Sequence, residues 1–181
     1  MLTKYKILSH TADLRLEVYG KTLEELFMNA AEALARILYE RSESTKFSVS
    51  PEAGHSLVEV IELRSPSISM LLVDFLNEIL ARSNINKMVY RVKNINILTS
   101  DIRPAGAGSP SAKDAQYVGY RMSKIESVNL GTLEVQKIGL EAEIIGAPVE
   151  KFDEDVKAVT YHEVNIKKEG DIWKTRLVFD I

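Results

Sequence analysis

The chain has 181 residues, 45% of them hydrophobic, which is typical of a globular protein with a single domain, here spanning residues 1–181. The net charge of −3 excludes the broad positive field of a protein that grips a nucleic-acid backbone, and the absence of cysteine excludes disulfides, thiolate metal sites and a cysteine nucleophile. No apolar run reaches the ~18–20 residues of a membrane span, so we expect a cytoplasmic protein without a membrane partner.

The first part of the chain predicts two strands followed by a helix. Tyr5–Leu8 is a short strand, and Leu14–Tyr19 alternates apolar and polar residues as a half-buried strand does. Thr22 with Glu25 three residues later forms a capping box, which begins a helix. Asn29 should lie on the solvent side of this helix. The apolar stripe on the other side consists of Leu23, Leu26, Phe27, Ala30, Ala31, Leu34, Ile37 and Leu38.

The middle of the chain predicts further strands around a second helix. Phe47–Val49 and Leu57–Leu63 have strand character, and Met88–Leu98 is a longer strand rich in Val, Tyr and Ile. The next segment, residues 99–116, is rich in Gly, Ser and Pro, and we expect a flexible insert there. The second helix opens at Ser65–Ser67, and its apolar stripe consists of Ile68, Leu71, Leu72, Phe75, Leu76, Ile79 and Leu80.

The last third of the chain has almost entirely strand character. Lys168–Asp171 is typical of a hairpin turn. Helices among the early strands and a run of strands at the end indicate the α+β class, with a largely antiparallel or mixed β-sheet covered by two amphipathic helices. The predicted strands of this part are Tyr117–Val128, Thr132–Ile145, Val156–Lys167 and Ile172–Asp180.

Acidic oxygens occur near both ends of the chain. Asp13 lies in the connection His10–Asp13 between the first two strands, and Asp180 is followed by the carboxylate of Ile181. A fold that brings these groups together needs protons or a cation to offset their repulsion, and oxygen ligands suit Ca²⁺ or Mg²⁺. Zn²⁺ is less favoured because the chain has only three His and no Cys. The alternatives are an Asx-turn at Asp13 and a solvated chain end.

Further polar candidates are His10, Lys157 and His162. Lys157 and His162 flank a strand-like segment behind an acidic turn, where they could face a partner or support metal ligands, although a structural role is the commoner one for such a histidine. We assign no catalytic residue, because the sequence contains no Gly-x-Ser-x-Gly elbow, no P-loop and no dinucleotide-binding glycine motif.

Five segments in the same order resemble the archease family. They cover both ends and the centre of the chain and leave out the 99–116 insert. Residues 147–155 depart from the family, which often has Gly-Glu followed by a His before the segment Val156–His162, whereas this chain has Gly146-Ala147 and Phe152–Asp155. The five segments are His10–Asp13, Gly20–Ala31, Leu72–Glu78, Val156–His162 and Asp180-Ile181.

The resemblance implies a non-enzymatic accessory protein that activates an RtcB-type RNA ligase, promoting its GTP-dependent guanylylation and multiple turnover in tRNA splicing. The tRNA would be reached only through the ligase. The resemblance also implies a divalent cation, usually calcium, held by Asp13, Asp180 and the Ile181 carboxylate. Two other functions stay open: a small metal-dependent phosphoesterase in which His10 or His162 moves protons, and a chaperone-like binding module.

Overall fold

The computed structural model describes residues 3–8, 13–39, 57–98 and 138–181. His10, the predicted strands Phe47–Val49 and Tyr117–Val128, and the 99–116 insert lie outside the described residues. No helix in the described ranges is both long enough and apolar enough to cross a membrane.

Both predicted helices are present and begin at capped residues. α1 spans Leu23–Leu38 and α2 spans Ile68–Asn86. The Thr22 side chain accepts a hydrogen bond from the Glu25 amide at 3.1 Å, and Ser67 caps α2 in the same way. These side-chain oxygens satisfy main-chain amides that have no partner within the helix. The predicted helix starts are therefore confirmed.

The described strands form two separate antiparallel sheets. The first has the order β1-β2-β8-β6, with β7 also paired to β8, and the second has the order β3-β5-β4. The predicted α+β class with antiparallel pairing is confirmed. The strands are β1 (Tyr5–Leu8), β2 (Leu14–Gly20), β3 (Leu57–Ser65), β4 (Met88–Leu98), β5 (Ile138–Pro148), β6 (Ala158–Thr160), β7 (Lys167–Glu169) and β8 (Ile172–Asp180).

One hydrophobic core joins both sheets and both helices. Phe27 of α1 and Phe75 of α2 meet with ring centroids 6.1 Å apart. Leu177 and Phe179 of β8 are fully buried in the same core. Because each such side chain contributes about 1.5–3 kcal/mol on burial, the end of β8 is anchored by packing although it is close to the chain terminus.

Two predictions are wrong in detail. The predicted strand Val156–Lys167 is interrupted after Thr160, and Glu163 within it adopts a left-handed conformation with φ 61° that no strand accommodates. Asn29, predicted to face solvent, is 5% exposed, and its Nδ2 donates to the Tyr19 carbonyl at 2.7 Å. The Asn29 side chain is held inside because this main-chain carbonyl needs a donor where α1 packs on β2.

Candidate metal-binding site

The end of β8 lies beside the start of β2. Their antiparallel register pairs Leu14 with Phe179, so continuing it by one residue puts Asp13 opposite Asp180. Leu14 and Phe179 pack on the core side, and because side chains alternate along a strand, Asp13 and Asp180 fall on the outer face. Directly opposed residues of an antiparallel pair have Cβ atoms about 4.5–5.5 Å apart. The fold therefore brings two of the predicted ligands into the same place.

β6 completes this end of the sheet on the other side of β8. Ala158 pairs with Asp180, and the main-chain amide of Lys157 donates to the Asp180 carbonyl at 2.8 Å. Lys157 Nζ also donates to a main-chain oxygen of Ile181 at 3.0 Å. A positive charge is thus built in beside the end of the chain. We call Asp13, Asp180, Ile181 and Lys157 the chain-end cluster.

A second row of side chains lies next to this cluster on the same face of the sheet. It consists of Arg15, Val178 and Thr160, which are partners in the strand register. Arg15 Nε and Thr160 Oγ1 are buried and have no hydrogen-bond partner among the described residues. Buried polar atoms usually find a partner, and the Thr160 hydroxyl is the kind of oxygen that a hard cation or one of its waters can engage.

His162 lies in the turn that follows β6, with its side chain 72% exposed. His162 Nε2 is 3.4 Å from Glu163 Oε1, and the same oxygen is 3.4 Å from Arg15 Nη1. These contacts link the turn to β2, two residues from Asp13. His162 is therefore exposed in a turn that Glu163 and Arg15 connect to β2.

The side of α2 that faces β6 carries polar residues that sequence reasoning misses. Asn77 Nδ2 donates to the Val159 carbonyl at 2.8 Å, and Asn77 Oδ1 accepts from the Val159 amide at 2.9 Å. Asp74 accepts hydrogen bonds from the hydroxyls of Ser65 and Tyr161. Residues three positions apart share one face of a helix, so the spacing of Asp74 and Asn77 among the apolar residues Leu71 to Leu80 is the signal that could have revealed them.

The hydrogen bond to Asp74 raises the pKa of the Tyr161 hydroxyl above its ordinary value, because the phenol would lose this bond on ionising. Partial burial and the negative charge of Asp74 act in the same direction. Tyr161 is therefore a neutral hydrogen-bond donor at physiological pH.

The donor set of the chain-end cluster fits a hard cation. Asp13, Asp180 and Ile181 supply only oxygen, which suits Ca²⁺ better than metals that prefer nitrogen or sulfur. Within the described ranges there is no group of three or more His, Cys, Asp or Glu side chains placed to hold a metal ion. The cluster offers two such side chains and a main-chain carboxylate, so water would complete the coordination.

The fold and this site define a class of protein: an α+β protein of two antiparallel sheets and two helices, with an oxygen-rich candidate site where the first and last long strands of one sheet meet. A model of the Archease protein family matches residues 5–181. The chain therefore belongs to the archease family.

Relatives in sequence and structure agree with this assignment. "Protein archease" of Methanosarcina barkeri is 29% identical over 178 residues, which cover 98% of this chain and 96% of the relative. "Protein archease" of Pyrobaculum neutrophilum is 31% identical over 178 residues, with coverage of 98% and 95%. The solution structure of protein 1598 of Methanobacterium thermoautotrophicum has the same fold, with a TM-score of 0.64 at 21% identity over 98% of this chain and 99% of that one.

Proposed function

We propose that this chain activates an RtcB-type RNA ligase in tRNA splicing and is not itself a catalyst. It promotes the transfer of GMP from GTP to the ligase and lets the ligase turn over repeatedly, in the cytoplasm. Membership of the archease family over residues 5–181 supports this partner. The net charge of −3 provides no broad positive surface for RNA, which favours contact with tRNA only through the ligase.

Within this proposal the chain-end cluster binds a calcium ion. The observation that carries this step is the register of β2 and β8, which makes Asp13 and Asp180 neighbours. Like charges directly opposite each other destabilise a sheet, and the Ile181 carboxylate, which accepts a hydrogen bond from Lys157 Nζ, adds a third negative group. A bound divalent ion neutralises these oxygens and links β2 to β8.

The exposed residues around the cluster form the face that docks on the ligase. Tyr161 is 57% exposed, Ile181 is 42% exposed, and the His162 side chain is 72% exposed. Tyr161 and His162 follow β6, whereas Ile181 follows β8 and lies beside Lys157 at the start of β6, because the two strands are antiparallel. The proposed docking face is therefore the β6 edge of the sheet. Docking of this edge stabilises the ligase conformation that accepts GMP, because a partner shifts an equilibrium only by binding one state more tightly.

The test is the rate of ligase guanylylation from labelled GTP, with and without this chain and with calcium present. We expect a several-fold faster reaction and more than one ligation per ligase molecule. Asp180→Asn should lose the stimulation while remaining folded. Glu143→Gln is the matched control, because Glu143 is paired with Lys93 in the other sheet and its loss should leave stimulation intact. A wild-type chain that does not accelerate the ligase would refute the proposal.

The two other candidate functions are separate outcomes of this test. Hydrolysis of a phosphoester by the chain alone with calcium or magnesium, abolished by Asp13→Asn, would indicate a phosphoesterase. Protection of unrelated proteins from aggregation, with no stimulation specific to the ligase, would indicate a chaperone-like module.

A further inference from the structure

A polar face of α2 holds the segment that connects β6 with β7. The Ile166 amide donates to Ser69 Oγ at 3.3 Å, and Tyr161 donates to Asp74. One more contact, between Asn77 and Val159, lies further along the helix. As residue numbers rise along α2, those of the segment fall, so the two run antiparallel. The interruption of the predicted strand after Thr160 lies within this segment.

The contact between Asn77 and Val159 differs from the others because it satisfies both main-chain groups of one residue. The Asn77 amide donates at 2.8 Å and accepts at 2.9 Å, as the main chain of a paired strand would. Val159 is only 2% exposed, so without Asn77 its amide and carbonyl would be buried and unpaired. β6 has three residues, and in the described part of the sheet it forms an edge. So short a strand depends strongly on this additional support.

The strand β6, which Asn77 holds, is connected directly to the chain-end cluster. Lys157 immediately precedes β6, and it contacts Asp180 through its amide at 2.8 Å and Ile181 through its ammonium at 3.0 Å. We infer that Asn77 is a positioning residue for this cluster: it fixes β6, and through the main-chain amide of Lys157 it keeps Asp180 and Ile181 in the arrangement that binds the cation. The inference rests on the proposed function for its purpose, and its role is positioning because both polar side-chain atoms of Asn77 are engaged by Val159.

The test uses Asn77→Leu, which keeps the side-chain size and removes both hydrogen bonds. Two quantities are measured: hydrogen exchange of the Lys157 amide by NMR, and calcium affinity by titration calorimetry. We expect protection of the Lys157 amide and calcium affinity each to fall about tenfold, the factor that corresponds to one lost hydrogen bond of ordinary strength. Asn77→Asp keeps the acceptor for the Val159 amide, loses the donor and adds a negative charge, so protection of the Lys157 amide in this variant should fall between that of Asn77→Leu and that of the wild type. It also keeps the test informative if Asn77→Leu does not fold.

Asn86→Leu is the matched control. Asn86 lies on the same helix, and its Nδ2 donates to Tyr90 Oη at 2.6 Å and to Glu59 Oε1 at 3.2 Å, in the other sheet. Asn86→Leu should lower the urea midpoint of unfolding, but it should change neither the hydrogen exchange of the Lys157 amide nor the calcium affinity. If Asn77 had only a structural role, both Leu variants would lower the midpoint and neither would change calcium affinity.

The outcomes separate this inference from the proposed function. Unchanged protection of the Lys157 amide, or unchanged calcium affinity, in Asn77→Leu would overturn the inference. A wild-type chain that binds calcium and yet never stimulates the ligase would refute the proposed function, while the two measurements on Asn77 would still decide its positioning role. A wild-type chain that binds no calcium would overturn both the metal site and the inference that Asn77 positions it.

Discussion

Lys157 Nζ donates a hydrogen bond to a main-chain oxygen of Ile181, at 3.0 Å. Through its amide the same residue also holds the Asp180 carbonyl, at 2.8 Å. The last two residues are thus held by Lys157 at the end of β8, which lies between β6 and β2. Changes to the polar groups here should alter cation binding without unfolding the protein, because the hydrophobic core packs on the opposite face of the sheet.

Asp180→Asn should weaken calcium binding about tenfold or more, because a neutral amide replaces a charged oxygen ligand. One residue added after Ile181 should have a similar effect by moving the terminal carboxylate. Titration calorimetry measures both, and the urea midpoint should stay unchanged because Asp180 is exposed. Asp171→Asn, in the exposed turn before β8, is the control with the same change of charge. Wild-type calcium affinity in both altered proteins would show that the chain end is not part of the calcium site.

Lys157→Met should raise calcium affinity about fivefold, because the ammonium repels a divalent ion a few ångströms away. The gain should shrink at high salt, which screens exposed charges. Lys93→Met changes the net charge equally but lies in the second sheet, where Lys93 contacts Glu143 at 2.8 Å, and it should leave the affinity unchanged. A weaker affinity in Lys157→Met would show that holding Ile181 in place matters more than the repulsion.

Gly20→Ala should destabilise the fold by about 3 kcal/mol or more, because an added methyl group cannot be accommodated without moving α1. A Cβ at Gly20 would lie 2.3 Å from Leu26 N and 2.7 Å from Leu26 Cα, which are main-chain atoms of the helix. Urea unfolding followed by the fluorescence of Trp173, the only tryptophan, gives the free energy of unfolding.

Gly139→Ala is the control for this substitution. The nearest atom to a Cβ there is Leu98 Cβ at 3.4 Å, which is ordinary contact. Alanine also reduces the conformational freedom of the unfolded chain, so we expect the free energy of unfolding to stay the same or to rise by up to about 1 kcal/mol. If Gly20→Ala and Gly139→Ala lowered the free energy of unfolding by the same amount, the close approach of β2 to α1 would be contradicted.

Tyr161→Phe should lower stability below pH ~10 and have a smaller effect at higher pH, following the raised pKa of Tyr161. The folded protein holds the phenolic proton more tightly than the unfolded chain does, because Asp74 accepts it in a hydrogen bond. That contribution is complete below the unfolded pKa of about 10 and is lost as the pH rises through the higher folded pKa. Unfolding free energies of both proteins between pH 8 and about pH 11 test this. A constant difference across the range would contradict it.

Local patterns predicted much of the fold. Tyr5–Leu8 and Met88–Leu98 are strands with the predicted limits, and the capping residue Thr22 begins α1 as expected. The prediction at Asn29 is wrong because helical spacing reports which side of a helix is polar, not whether a polar group there meets a carbonyl of another element. The predicted strand Val156–Lys167 is wrong because the chain turns after Thr160, where Glu163 adopts a left-handed conformation that the side-chain pattern does not report.

The sequence by itself determined the two helices, the limits of β1, β4 and β8, the α+β class and the presence of acidic groups near both ends. These follow from periodicity, capping and composition, which are local properties of the chain. Only the tertiary structure decided that Leu14 pairs with Phe179, which makes Asp13 and Asp180 neighbours, and that Asn77 holds Val159, 82 residues away. Such contacts between distant residues depend on how the sheets and helices pack around one core, and no spacing along the chain encodes that directly.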